Sequence, residues 1–179
     1  MSFILFYKDK EKQKLQKIEI VLVLLLLPFG LWGASRGYQE WKLYQQADTL
    51  FMEAHQAVHD GKDGVAIEKL KKCVEIYPAY YAAWEEWATA VHFAGDHEGE
   101  VAIYQRAVEA NPDNDLLKRD LGAAYHEVGM HDRELAILKT AADTLVEDPF
   151  AQRLLARAEK EASGEAAPDV PLEKEGHIH

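Results

Sequence analysis

The chain has a single cysteine, Cys73, in 179 residues. That excludes an intrachain disulfide framework, a CxxCH haem attachment and any multi-cysteine zinc site. Basic charge is also scarce: 20 Lys and Arg face 31 Asp and Glu, a formal net charge of −11. A sequence-independent nucleic-acid binder needs a basic face to displace counterions, so nucleic acid is not an expected partner. The sequence has no GxSxG, no phosphate-binding glycine loop, no HExxH and no GxGxxG. No other catalytic constellation stands in their place, so the chain reads as a non-enzyme without a cofactor. Apolar residues make up 48% and charged residues 28%, which argues for a folded protein.

A mean hydropathy of −0.31 conceals one uncharged run, Ile20 to Ala34. Residues 18–34 would form about 25 Å of helix, at the short end of what crosses a bilayer. This predicts a single transmembrane helix in contact with lipid, tolerant of Pro28 and Gly30. Trp32, Tyr38, Trp41 and Tyr44 follow it, as interfacial aromatics do. Residues 1–17 carry five lysines, whereas residues 35–50 carry only Arg36 and Lys42. The positive-inside rule then puts the N-terminal segment in the cytoplasm and all that follows residue 35 in the periplasm, across a bacterial inner membrane. A cleaved signal peptide is the rival reading. It is disfavoured by Trp32 in the third position before a cut at Ala34, and is marginal with Gly33 before a cut at Ser35. Residues 35–46 read as a juxtamembrane helical linker.

A regular period, about 34 positions long, organises the remainder. Gly61, Gly95 and Gly129 keep it, as do Pro78 and Pro112. Small residues recur at Cys73, Ala107 and Ala141, and at Ala54, Ala88 and Gly122. Large apolar ones recur at Leu70, Tyr104 and Leu138. The physical reading is two helices per repeat. A glycine ends the first helix, a proline follows the second, and small residues mark close helix approach.

This pattern resembles the tetratricopeptide repeat (TPR), with W-x2-L-G-x2-Y, A-x3-F and P slots. The second repeat offers Trp84, Trp87, Ala88, Val91, Tyr104, Ala107 and Pro112. The third offers Leu121, Gly122, Tyr125, Leu138 and Ala141. The resemblance implies an all-α chain. Three helix-turn-helix repeats, about 47–80, 81–114 and 115–148, would form an α-solenoid with a capping helix at 149–163. Residues 164–179 read as an acidic flexible tail. Two departures stand out. Glu100 and Glu134 occupy the small slot that Ala66 fills in the first repeat, with Ala102 and Ala136 two positions on, which would shift that contact. Val146 stands where a proline belongs, and Pro149 comes three positions late, which would lengthen the second helix of that repeat to about residue 146.

In the resembled family the first helix of each repeat lines a groove. Here that implies partner contacts from Phe51, His55, Val58 and His59, then Glu85, Thr89, His92 and Phe93, then Arg119, Ala123, His126 and Glu127. His92 and His126 are one period apart, as are His97 and His131. His97 and His131 read as replacements for an aromatic at the turn. His55, His59, His92 and His126 are candidate metal ligands, but no metal site is assigned. Cys73 falls in a packing slot and reads as inert.

The expected function is that of a membrane-anchored scaffold or adaptor. It would bind a peptide segment of a protein partner and assist assembly of a membrane or periplasmic complex. An integral accessory subunit of a respiratory, photosynthetic or secretory complex is the alternative. A metal- or haem-handling chaperone is a third.

Overall fold

In the computed structural model, Gly33 and residues 35–164 are described. The chain divides into two compact units, Met1–Gln45 and Gln46–His179. Of the first unit, residues 35–45 are helical and exposed. The expected membrane span at 18–34 lies outside the described residues except for Gly33. Among the described residues no helix is long and apolar enough to cross a membrane.

The described part of the second unit is a run of helices. Residues 46–59 form α1. It is followed by α2 (Asp63–Ile76), α3 (Tyr81–Phe93), α4 (His97–Ala110), α5 (Asp115–Glu127), α6 (His131–Ala142) and α7 (Pro149–Ser163). Consecutive helices pack together, in helix-turn-helix pairs that stack as a solenoid.

The three periodic glycines are required by the backbone. Gly61, Gly95 and Gly129 have φ of 69°, 79° and 72°, in the left-handed region that a Cβ disfavours. Each closes a first helix with the same pair of bonds. Gly95 N–H donates to His92 O at 2.8 Å and Asp96 N–H donates to Val91 O at 3.2 Å. The equivalent bonds recur at Gly61 and Gly129. This capping reverses the chain in one short turn and brings the ends of paired helices together.

The small and large slots interlock. Ala54, Ala88, Ala107, Ala141 and Cys73 are fully or almost fully buried, with Leu70 and Leu138. At Gly122 a Cβ would lie 2.6 Å from Leu138 Cδ2, so glycine leaves the space that this leucine fills. Trp84 and Trp87 stack at 5.8 Å between ring centroids, with the Arg106 guanidinium over both. A second apolar cluster of Leu138, Phe150, Leu154 and Ala158 seats the last helix on the third repeat.

The expectation of a longer α6 is corrected. It ends at Ala142, and Thr144 and Leu145 N–H donate back to Ala141 O as the chain turns away. Pro149 is not a late repeat proline. It occupies the first turn of α7, where its missing N–H has no partner to lose. Asp148 caps that helix by accepting from Phe150 and Ala151 N–H. Asn114, one period earlier, accepts from Leu116 and Leu117 N–H in the same way.

Candidate functional site

The first helices of the pairs, α1, α3, α5 and α7, are bridged to one another by side chains along one face. The Phe51 ring lies 5.1 Å from that of Tyr80, just ahead of α3, and His55 Nδ1 is 3.4 Å from Glu86 Oε1. His55 and His59 are both exposed, with rings edge to face at 6.1 Å. Glu85 and Thr89 are half-buried on α3, and Phe93 at its end is 83% exposed.

Arg119 is not presented to solvent. Its guanidinium donates to Asp120 Oδ1, to Asp148 Oδ2 at 2.6 Å and to Tyr81 OH at 3.2 Å. Tyr81 OH in turn donates to Asp120 Oδ2 at 2.6 Å. Burial and the neighbouring Asp120 charge push the tyrosine pKa well up. Burial works against the Arg119 charge, but Asp120 and Asp148 outweigh it and raise its pKa. Arg119 therefore ties α3, α5 and the cap of α7 together.

The other groove histidines are drawn into two groups whose members are related by one period. His92, His97, Glu100 and Glu127 form one, and His126, His131, Glu134 and Glu161 the other; in each, four possible ligand atoms lie within 4.8 Å of one another. In the first, His92 Nδ1 is 2.8 Å from Glu100 Oε2 and 3.3 Å from Glu127 Oε2. His97 Nδ1 is 3.9 and 2.9 Å from the same two oxygens. In the second, His126 Nδ1 is 3.0 and 3.7 Å from Glu134 and Glu161 Oε2, and His131 Nδ1 is 3.3 and 3.1 Å. The local cause is the glycine turn. It sets the last turn of a first helix against the first turn of its partner, and the next first helix supplies the fourth residue.

Burial pushes the Glu100 pKa up, against the opposing pull of His92. Burial also works to lower the His92 pKa, but Glu100 and Glu127 more than compensate and hold it above its usual value. The second group has an added partner, since the buried Arg157 donates from Nη2 to Glu134 Oε1 at 2.7 Å. The residue at the matching place in the first group is Ala123.

Sequence reasoning paired the histidines by period but did not join them to Glu100, Glu134, Glu161 or Arg157. The signal was the pair of glutamates in a small-residue slot. The expected shift of the small contact to Ala102 and Ala136 is corrected, since both are exposed; the glutamates instead reach the histidines at the turn. Cys73 is wholly buried, and burial with the nearby Asp48 charge pushes its thiol up to about 11.

No family profile and no curated protein matches the chain. Solved structures do match its fold. The first TPR of Spaghetti, solved with an HSP90 peptide, is 16% identical with a TM-score of 0.56, over 66% of this chain and 94% of that one. The Sgt2 TPR domain from Aspergillus fumigatus is 17% identical with a TM-score of 0.55, over 73% and 91%. A tetratricopeptide repeat protein from Parabacteroides merdae is 20% identical with a TM-score of 0.56, over 66% and 48%.

Proposed function

We propose that this chain, which has the tetratricopeptide-repeat fold, is a non-enzymatic scaffold that holds a protein segment along the face of its first helices. The observation that carries the reading is the exposed apolar surface on that face. Val58 on α1 and Phe93 at the end of α3, both at groove positions of the period, are exposed, as are His55 and His59. Such a face gains by burying apolar area, at roughly 25 cal/mol per Å². The Spaghetti domain, with its HSP90 peptide, is a solved example of the fold holding a peptide.

Residues 35–179 hold 15 Lys and Arg against 28 Asp and Glu, which favours a basic segment as the occupant. The expected span at 18–34, with its uncharged run from Ile20 to Ala34, supports a membrane anchor, with the repeats in the periplasm and the scaffold serving assembly of a membrane or periplasmic complex. Tethering would raise the effective concentration near membrane partners. The exposed Tyr38, Trp41, Leu43 and Tyr44 favour the second reading, an accessory subunit packed in a larger membrane complex.

The test is site-specific photo-crosslinking in cells, from positions 55, 59 and 93 and, as controls, from positions 72 and 139 on the second helices α2 and α6. A scaffold gives one partner band from the first three positions, and the bands from 55 and 59 are lost in Phe93→Glu. Equal crosslinking from all five positions, or none from the first three, would overturn it.

A further inference from the structure

We propose that His92, His97, Glu100 and Glu127 form a binding site for a divalent transition-metal ion of the zinc class, and that His126, His131, Glu134 and Glu161 form its copy one repeat later. The inference does not depend on peptide binding by the same domain.

Geometry comes first. A four-coordinate zinc with bonds of about 2.0–2.1 Å holds neighbouring donors about 3.3 Å apart. The four nitrogen–oxygen separations run from 2.8 to 3.9 Å in the first group. In the second they run from 3.0 to 3.7 Å. In both, each histidine nitrogen is close to both carboxylates, and four possible ligand atoms lie within 4.8 Å of one another.

An ordinary His–Glu ion pair does not need this arrangement. One Nδ1 proton satisfies one oxygen, and four groups then make two bonds. Here the bonding remains incomplete. His97 Nδ1 is buried with no hydrogen-bond partner among the described residues, although Glu127 Oε2 is only 2.9 Å away. Glu161 Oε2 is in the same condition in the second group. A buried polar atom left this way is costly, and a cation at the centre would satisfy it. One such unmatched ligand atom falls in each quartet, and the third among the described residues is Nε of the adjoining Arg157.

The first repeat supplies an internal comparison. The positions one period before the first group hold Val58, Asp63, Ala66 and Phe93. Three of the four ligands are absent there, and the fold is still built. The fold therefore does not require the quartet, and the two later repeats carry it complete. Two imidazoles with two carboxylates suit zinc and its neighbours rather than calcium or magnesium, which take all-oxygen sites.

Charge then ranks the sites. With neutral imidazoles the first quartet carries two negative charges, which a divalent ion balances. In the second, Arg157 already offsets one of them through Glu134 Oε1, leaving Oε2 to ligate. The first site is the tighter.

The test uses the full-length chain in mild detergent, titrated with Zn2+ by calorimetry, with bound metal counted after dialysis. The expected result is two zinc ions per chain, the first bound about tenfold or more tightly than the second. Glu100→Ala restores the residue of the first repeat, so it keeps its helix content by circular dichroism and loses the tighter ion. His126→Ala with His131→Ala loses the weaker one. His177→Ala with His179→Ala, and His55→Ala with His59→Ala, leave both. Binding of less than one zinc, unchanged binding in Glu100→Ala, or loss of both ions in the tail or α1 variants overturns the proposal. One ion that vanishes in Glu100→Ala upholds the first site and overturns the copy. Calcium in place of zinc gives no heat.

Discussion

The junction between the second and third repeats and the junction between the third repeat and α7 hold the same four residue types at the same spacing. Their surroundings differ. Glu100 is partly exposed and faces two histidines and Glu127; Glu134 has no exposed side-chain surface and is bonded to the buried Arg157. The first quartet sits on a fold that the first repeat builds without it. The second has become part of the structure. A duplicated repeat keeps its side-chain spacing, but a single neighbour, Arg157 at the place that Ala123 holds in the first group, changes what that spacing does.

The largest effect that would break this contrast is Glu134→Ala. It strands a buried guanidinium and should cost about 3–5 kcal/mol of unfolding free energy. Glu100→Ala removes a carboxylate whose hydrogen bond is to the partly exposed His92 rather than to a buried guanidinium, and should cost only about 1 kcal/mol. Urea denaturation of the two variants checks this, and equal losses would show that the two junctions do the same structural work.

Gly122→Ala comes next. Its methyl would meet Leu138, which is itself buried, so overpacking should cost about 1–3 kcal/mol. Ala54 and Ala88 hold that same methyl at the equivalent places. A thermal melt that does not shift would mean that Leu138 can move aside.

The smallest effect concerns the caps. Burial opposes the Asp148 charge, but its bonds from Arg119 and from Ala151 and Phe150 N–H dominate and hold its carboxyl below 3.8. Its stabilisation is therefore whole above pH 3.8 and is lost as pH falls through the lower folded value. Asp148→Asn adopts the residue found at 114, keeps the cap and loses the charge. It should be about 1 kcal/mol less stable than the parent at about pH 7, with the gap closing below that folded value. A gap that is the same at neutral pH and in acid would remove the Arg119–Asp148 pair from the account.

The pairing of helices was legible in the sequence because slot sizes and glycine positions are set by local backbone geometry. Glycine at 61, 95 and 129 could be read from the period alone. Half of each quartet was legible too, as histidines one period apart. The rest depended on which side chains meet across helices. Glu127 reads as a groove residue until α3 is placed beside it. Arg119 reads as a partner contact until Asp148, far along the chain, is seen to cap α7 within its reach. The end of α6 at Ala142 was not legible, because a proline that comes late in the period says nothing of where the preceding helix stops, even with the capping helix starting at 149.

The lone cysteine has a practical consequence. Cys73 lies in α2 with no exposed surface and a thiol held almost wholly protonated at neutral pH. An alkylating reagent reaches it only when the first repeat opens. The chain thus carries a built-in clock for local unfolding. Because that clock sits in the repeat without a quartet, its rate reads how far zinc, bound in the later repeats, steadies the rest of the stack.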